Sequence, residues 1–205
     1  MSGLSLPAGE LAKSANVAPQ TASEHLSRLL QGKLLSAEIQ GRHRYYRLAS
    51  SQVATIIEAL ALIAPQTNDP VRQTTPLNNP FRFARTCYNH LAGTLAVQIA
   101  EALQEGGLLA PARDNDYALT NQGRVWCEEW GIGLEQIKSG RGAFARACLD
   151  WTERRHHLAG RLGTALLQRL FELKWVVRID KTRIVRVTTR GQEHLHQLFG
   201  IEFKS

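Results

Sequence analysis

The chain has 205 residues, of which 43% are hydrophobic, and its formal net charge at pH 7 is +7. This length allows one large domain or two small ones, and the hydrophobic content is too high for a disordered chain. Three cysteines without framework spacing favour a reduced, cytoplasmic protein over a secreted disulfide scaffold, and we expect no signal peptide and no membrane-spanning segment.

The charge is unevenly distributed along the chain. Residues 1–65 hold 6 basic and 4 acidic side chains, residues 66–140 hold 6 and 8, and residues 141–205 hold 13 and 6. A basic balance is typical of proteins that bind a polyanion such as nucleic acid, but charge alone is weak evidence. Because most of the positive excess lies in the last third, any functional interpretation has to include that region.

The first predicted element is a short helix that begins near Pro7, a residue suited to a first helical turn. Its inner face would carry Leu11, Ala12 and Ala15. A short turn follows, in which Val17 is expected to fill the angle between this helix and the next.

A second, amphipathic helix is predicted in the first half of residues 18–47. Its apolar face is formed by Ala22, Leu26, Leu29 and Leu30, which follow helical spacing. Gly32 is expected to end it, as a glycine after the last periodic residue often does. The opposite face is polar and comprises Gln20, Thr21, Ser23, Glu24, Ser27 and Arg28.

A β-hairpin is predicted next, with strands at 34–39 and 45–48. Its tip, residues 40–44, is basic, and Gly41 permits the tight reversal. A polar-faced helix followed by a cationic hairpin is typical of the recognition helix and wing of a winged helix-turn-helix. In that arrangement the helix enters the major groove of DNA and the wing contacts the backbone.

Residues 4–65, about a third of the chain, resemble the ArsR-type winged-helix repressors of bacteria. The common pattern ELA-x-x-x-x-V-x-x-x-T-x-S-x-H-L-x-x-L is matched by Glu10, Leu11, Ala12, Val17, Thr21, Ser23, His25, Leu26 and Leu29, with QGRHRYYRLA behind it. The resemblance implies sequence-specific binding to double-stranded DNA. Because such domains usually carry two helices before the helix-turn-helix, we expect residues 1–65 to lack the first helices of that domain.

A third helix is predicted over about 50–64, with Ser50 or Ser51 as its N-cap. In the resembling family this helix pairs with its twin across a homodimer; packing on the C-terminal region is the alternative. Residues 66–80 are rich in proline and lack periodicity, which predicts a linker.

Residues 81–205 contain an internal repeat, with copies at about 81–138 and 141–205. Each copy is expected to contain a long helix, a hairpin and a capped helix, and the two copies together a pseudo-symmetric, winged-helix-like domain. The fold class predicted for the whole chain is therefore mainly α with small β-hairpins (α+β). The matching positions are Cys87 with Cys148, the HLAG blocks at 90–93 and 157–160, the N-caps Thr120 with Thr188, and Gly123 with Gly191; the second copy has six extra residues around Asp150 to Arg155.

The predicted DNA contacts lie on the second helix and at the hairpin tip. Each side chain has the alternative of belonging to a solvated surface, and His25, beside Leu26, is equally well explained as structural. The predicted set is Gln20, Thr21, Ser23, Glu24, His25, Arg28, Arg42, His43 and Arg44.

The cysteines suggest a second hypothesis, a metal site. Cys87 lies three residues before His90, so we expect both on one helix face, and Cys148 lies eight and nine residues before His156 and His157. Zinc or cadmium accepts such ligands. The alternative is that these cysteines are small buried hydrophobes and that HLAG is a close helix-packing site. Because the metal motifs of the resembling family are missing, no cofactor is expected.

Two features of the C-terminal half have open interpretations. The basic residues of 141–190, including a tip at 180–183 similar to a second wing, would add contacts to the DNA backbone or form a solvated, salt-bridged face. Four tryptophans, at 126, 130, 151 and 175, would line a ligand pocket or close the core of a small domain.

No enzyme signature is present, since phosphate-binding glycine loops, GxSxG and HExxH are all missing. The sequence predicts a cytoplasmic transcriptional regulator, a dimeric repressor that binds an operator and responds to an effector not identified by the sequence. The alternatives are a metal- or thiol-responsive sensor that uses Cys and His, and a protein-interaction module that does not bind DNA.

Overall fold

The computed structural model describes residues 5–41, 43–50, 52–54, 56–57, 60, 79–113, 116–138, 142–180 and 182–203. Helices and strands both contribute throughout, as in an α+β protein. The chain divides into two compact units, residues 1–64 and residues 65–205.

The N-terminal unit begins with a very short strand and two helices, followed by a hairpin. Its elements are β1 (Leu6–Pro7), α1 (Ala8–Ala15), α2 (Pro19–Gln31), β2 (Leu35–Gln40) and β3 (His43–Leu48). Residues 52–54, 56–57 and 60 are also helical. The Val53 N–H donates to Ser50 Oγ at 3.3 Å, which confirms Ser50 as the N-cap.

Local sequence explains the ends of both helices. Asn16, in the left-handed region at φ 52°, ends α1, and Pro19 begins α2 at a position where its missing N–H is not needed. Gly32 caps α2 as predicted, although the positive φ falls on Lys33. The buried residues described in this unit are mostly small, so its core is slight: Ala12, Ala22, Leu26 and Ala54.

Three details of this unit differ from the sequence-based expectations. Pro7 does not begin α1; it lies in β1, which pairs with β3 and gives the strand order β1-β3-β2. Ala15 is exposed, so it does not belong to the inner face of α1, and Val17 keeps 37% of its surface exposed, so it does not fill the angle between the helices. The hairpin is also tighter than predicted, because Gln40 pairs with His43 across a turn in which Gly41 has φ 62°.

The described residues of the C-terminal unit form helices and four short hairpins. Its first half comprises α3 (Pro80–Phe83), β4 (Arg85–Cys87), β5 (His90–Ala92), α4 (Thr94–Glu105), β6 (Leu109–Pro111), β7 (Tyr117–Leu119), α5 (Asn121–Glu129) and α6 (Leu134–Lys138). Its second half comprises β8 (Arg146–Leu149), β9 (His156–Ala159), α7 (Gly160–Glu172), β10 (Val176–Arg178), β11 (Val185–Val187) and α8 (Thr189–Phe199).

The repeat is visible as hairpin, helix, hairpin and capped helix in each half. Thr120 and Thr188 are N-caps, as predicted, because their hydroxyls accept from the N–H groups of Gly123 and Gly191. The expected long helix at the start of each copy is wrong in its first part. Residues 85–92 form a two-stranded hairpin instead, because positive φ at Tyr88 closes a two-residue turn.

The two halves exchange their second hairpins. The β10–β11 hairpin bonds to β4, where the Val185 N–H donates to the Ala84 carbonyl at 3.0 Å. In the equivalent place, the β6–β7 hairpin bonds to β8, where the Tyr117 N–H donates to the Ala145 carbonyl at 2.9 Å. In addition, α4 packs on β9 and α7 packs on β5. Each half therefore completes the other, and they share one core.

The tryptophans mainly belong to this core. Trp126 stacks on Trp130, whose ring meets Trp175 and Phe199 edge-on. The cavity lined in part by Trp126 measures about 10 Å³, which is room for about one water molecule. These contacts favour the core interpretation over a ligand pocket.

The glycine of each HLAG block begins a helix where a side chain does not fit. Gly93 has φ 92° and Gly160 has φ 76°. A Cβ on Gly93 would lie 2.7 Å from the Phe83 carbonyl oxygen, and one on Gly160 would lie 2.9 Å from that of Phe144. Two equivalent positions thus need glycine for the same two reasons, positive φ and close backbone approach.

We predict that Gly93→Ala lowers the free energy of unfolding by about 2–5 kcal/mol, because strain in a positive-φ, extended backbone region that is essentially restricted to glycine (φ 92°, ψ −173°) adds to overpacking. Gly200→Ala is the matched control, since Gly200 also has positive φ, 66°, but faces open space. It should cost about 1–2 kcal/mol from strain alone. Urea unfolding of both variants measures the difference, and equal losses would contradict the close-approach explanation.

Candidate functional site

The exposed face of α2 carries a row of polar side chains. Gln20, Glu24 and Arg28 are all exposed and are spaced four residues apart, so they lie on one face of the helix. Ala22 and Leu26 point the other way and are buried. The helix therefore has a buried side and a side whose polar groups are available to a partner.

The other predicted contacts on α2 are less uniform. His25 is exposed, whereas Thr21 is only half-exposed. The Ser23 hydroxyl donates to the Pro19 carbonyl at 2.9 Å, so its proton is used within the helix. Gln20, Glu24 and Arg28 are consequently the best placed of this set to meet a ligand.

Among the described residues near the tip of the hairpin, Arg44 is an exposed cation. Arg44 lies on β3 opposite Ile39 and is exposed. The Arg47 guanidinium, three residues further on, donates from Nε to Ser36 Oγ at 3.1 Å. Arg42 and the side chain of His43, also predicted to contact DNA, lie outside the described residues.

The predicted second wing at 180–183 is bound to its neighbours. The Thr86 N–H donates to the Arg183 carbonyl at 2.8 Å, which joins this loop to β4. The Arg183 guanidinium lies over the Phe81 ring at 5.2 Å, and that of Arg178 lies over Phe171 at 4.9 Å. These contacts favour the alternative of a structural, partly paired basic face.

A cluster of two thiols and two imidazoles lies where the first hairpins of the two repeats meet. We refer to it as the Cys/His cluster; its members are Cys87, His90, Cys148 and His157. Their ligand atoms all lie within 4.8 Å of one another. The two imidazoles approach each other through His90 Nε2 and His157 Nε2, which are 3.1 Å apart.

The cluster corrects the geometry predicted for these residues. Cys87 and His90 do not share a helix face; they are paired across the β4–β5 hairpin, as Cys148 and His157 are across β8–β9. His156 is exposed, outside the cluster. The alignment of the two repeats already grouped the four members of the cluster, because Cys87 aligns with Cys148 and His90 aligns with His157.

A buried ion pair stands next to the cluster. Asp150, 1% exposed, accepts from Arg85 Nη2 at 2.8 and 2.9 Å and from the Gly93 N–H at 2.8 Å. Its Oδ2 also lies 3.6 Å from His157 Nδ1. Asp150 belongs to the six-residue insertion of the second repeat, whereas Arg85 and Gly93 belong to the first repeat. The insertion therefore bonds the two repeats to each other. Sequence analysis had located the insertion without assigning it this contact.

The electrostatics of Asp150 follow from these partners. Burial opposes its ionisation, but the Arg85 guanidinium, together with hydrogen bonds from Thr152, Arg85 and the Gly93 N–H, holds the pKa of this carboxyl well below its ordinary value. Asp150 is therefore a carboxylate in the folded protein at neutral pH.

The pKa values of two cysteine thiols are raised, in contrast to that of Asp150. A hydrogen bond with Cys148 and burial raise the pKa of the Cys87 thiol to about 12, against the opposing effect of His157 and His90. Burial raises the pKa of Cys127, which lies outside the cluster, to about 11. Protonated, buried thiols are poor nucleophiles, which disfavours a reactive-cysteine function.

Comparison with known proteins decides the family. No family model matches the chain. Over 192 residues it is 50% identical to the uncharacterized HTH-type transcriptional regulator YdfF of Bacillus subtilis (strain 168); the match covers 94% of this chain and 84% of that protein. The chain belongs to this family of HTH-type transcriptional regulators. The predictions of a transcriptional regulator that binds DNA, and of a protein that is not an enzyme, are confirmed.

Helix lengths add one further finding. Among the described residues, every helix is too short or too polar to cross a lipid bilayer.

We predict that Asp150→Asn lowers the free energy of unfolding at pH 7 by about 3–5 kcal/mol, because it leaves the buried Arg85 charge uncompensated. A carboxylate whose folded pKa is depressed stabilises the protein above its unfolded pKa, about 3.9, and loses that contribution as the pH falls toward the folded value. The variant should therefore lose less stability than the wild type on acidification below about pH 5. Urea unfolding at several pH values measures both effects.

The control is Glu172→Gln, which removes the exposed ion pair with Arg169. It should cost less than about 1 kcal/mol. A parallel pH dependence of Asp150→Asn and wild type would contradict the assignment.

Proposed function

We propose that residues 1–64 form an ArsR-type winged helix-turn-helix with which the protein represses transcription. In this proposal α2 lies in the major groove of an operator and the β2–β3 hairpin contacts the DNA backbone. The single observation that supports it best is the exposed row of Gln20, Glu24 and Arg28 on α2, immediately followed in the chain by a cationic hairpin.

The chemistry of this row suits base and phosphate recognition. An amide such as Gln20 can bond bidentately to adenine, a carboxylate such as Glu24 can accept from cytosine, and Arg28 can bind guanine or a phosphate. Residues near the N-terminus of a recognition helix are the ones that reach base edges, which favours Gln20 and Glu24 for sequence discrimination. Arg28, two turns later, and Arg44 on the hairpin are better suited to the backbone.

We further propose that the regulator is a homodimer. The helical segment after Ser50 exposes large apolar side chains: Ile56 is 59% exposed, Ile57 46% and Leu60 56%. Apolar groups clustered on one short helix mark a surface that another protein covers. A twin copy fits because a two-fold dimer would present two recognition helices to a palindromic operator.

The proposal includes repression of transcription and control by an effector. Repression is what the resemblance to ArsR-type proteins implies, and it requires only that a bound dimer block access to a promoter. An effector would act by shifting the population of DNA-competent dimers, and the C-terminal unit, with its separate core, is the natural place for it. The same proposal places the protein in the cytoplasm, where its DNA is.

We predict that the purified chain binds the DNA upstream of its own coding sequence more tightly than a scrambled duplex. The double variant Arg28→Ala, Arg44→Ala should make the slope of log K against log salt shallower by about two units, since two phosphate contacts are lost. Gln20→Ala should instead reduce discrimination by about 1–3 kcal/mol with the slope unchanged. Fluorescence anisotropy over a salt series measures all three quantities.

Arg47→Ala is the matched control, because it removes one charge from the same hairpin at a side chain bonded to Ser36. It should leave the slope within one unit of wild type. Equal, steeply salt-dependent binding to both duplexes would contradict sequence recognition, and no DNA binding by a chain that still oligomerises would favour the protein-interaction module.

We predict that Ile56→Glu converts a dimer of the 22.8 kDa chain into a monomer, because a charge in an apolar interface leaves its burial uncompensated. Ile39→Glu is the control, since Ile39 is 70% exposed but lies on the hairpin. Sedimentation equilibrium measures the mass, and a wild-type chain that is monomeric at micromolar concentration would contradict the dimer.

A further inference from the structure

We propose that the Cys/His cluster is a closed binding site for one Zn²⁺ ion, which joins the two repeats of the C-terminal unit. The site lies wholly within that unit and outside the DNA-binding unit. The inference does not rest on the DNA-binding proposal, because each of its tests is made without DNA.

The spacing of the ligand atoms suits a tetrahedral ion. Zn–N bonds of about 2.0–2.1 Å and Zn–S bonds of about 2.3 Å place tetrahedral ligand atoms about 3.3–3.8 Å apart. His90 Nε2 and His157 Nε2, at 3.1 Å, are already close to that spacing, and no pair in the cluster exceeds 4.8 Å. Small side-chain rotations are therefore enough to close the four ligands around an ion.

The donor set selects the metal class. Two thiols and two imidazoles form the S₂N₂ combination typical of tetrahedral zinc, while Mg²⁺ and Ca²⁺ require oxygen ligands. The Asp150 carboxylate is close to the cluster but is engaged by Arg85 and the Gly93 N–H. It is thus a neighbour of the site rather than a fifth ligand.

Asp150 is placed like the carboxylates that accept a hydrogen bond from zinc-binding histidines. Metal-bound imidazoles usually donate their other N–H to a carboxylate, which fixes the tautomer. His157 Nδ1 is buried without a hydrogen-bond partner and lies 3.6 Å from Asp150 Oδ2. A movement of about 0.4 Å would bring this pair to hydrogen-bond length, with Nδ1 protonated and the lone pair of Nε2 directed into the cluster.

The topology gives the proposed ion a structural role. Each repeat contributes one cysteine and one histidine from equivalent positions of its first hairpin, so the ion would lie on the pseudo-two-fold axis. Three of the four ligands are buried and no position is left for a substrate, which matches closed structural sites rather than catalytic ones. Binding would tie β4–β5 to β8–β9 and stabilise the fold of the whole unit.

The test begins with metal content of the full-length wild-type chain, dialysed after incubation with ZnCl₂. We expect one zinc per chain by mass spectrometry, and a melting temperature that falls when a strong chelator removes the metal. Loading the chain with Co²⁺ instead should give the visible bands of a tetrahedral ion and a thiolate-to-cobalt charge-transfer band. A wild-type chain that retains no zinc, or that is isolated with Cys87 and Cys148 as a disulfide, would overturn the proposal.

Adjacent histidines provide a matched pair of variants. His157→Gln should lose the stoichiometric zinc, whereas His156→Gln, exposed and outside the cluster, should retain it. For the thiols, Cys148→Ser should lose the zinc and the charge-transfer band, while Cys127→Ala should keep both. Circular dichroism checks that each variant is folded. If His157→Gln does not fold, the partly exposed Cys148 and the wild-type cobalt spectrum still decide; full zinc retention by folded Cys148→Ser would refute the site.

Discussion

The buried ion pair between Arg85 and Asp150 is the interaction on which the C-terminal unit depends. Arg85 is 2% exposed and Asp150 1%, so neither charge has water to replace its partner. Asp150 also accepts the Gly93 N–H and faces His157, which links the inserted loop, the start of α4 and the imidazole pair. Removing either charge would leave the other buried and unpaired, which explains why an insertion in one repeat can set the geometry of both.

Around this pair, the two repeats are joined because they exchange their second hairpins. Each second hairpin bonds to the first hairpin of the other repeat. The glycine of each HLAG block lets a helix begin against carbonyl oxygens of the segment that precedes the first hairpin of its own repeat. That arrangement brings the two equivalent histidines into contact and the two equivalent cysteines next to them. The proposed zinc site is thus a consequence of the pseudo-symmetry, which doubles a Cys-and-His pair into four ligands.

The N-terminal unit differs from the C-terminal unit in the size of its core. Its described core contains three alanines and Leu26, whereas Ile39, Ile56 and Leu60 are more than half exposed. A unit with so small a core and so much exposed apolar surface would gain stability from association, which agrees with the homodimer proposed above. The C-terminal unit has a large aromatic and aliphatic core of its own and does not need such support.

The sequence alone determined the features that depend on neighbouring residues. Helical periodicity located α2, and glycine and threonine positions located its end and the caps at Thr120 and Thr188. The motif around Val17 and Leu26 indicated a helix-turn-helix transcriptional regulator, which the 50% identical relative confirms at that level. Contacts between residues more than fifty positions apart were decided only by the tertiary structure. Cys87 and His90 were expected on a helix because a three-residue spacing suits a helix as well as a tight hairpin. The Arg85–Asp150 pair could not be predicted, because it depends on how two repeats fold onto each other and bury their charges together. The alignment of the two HLAG blocks, by contrast, already matched His90 with His157 rather than with His156.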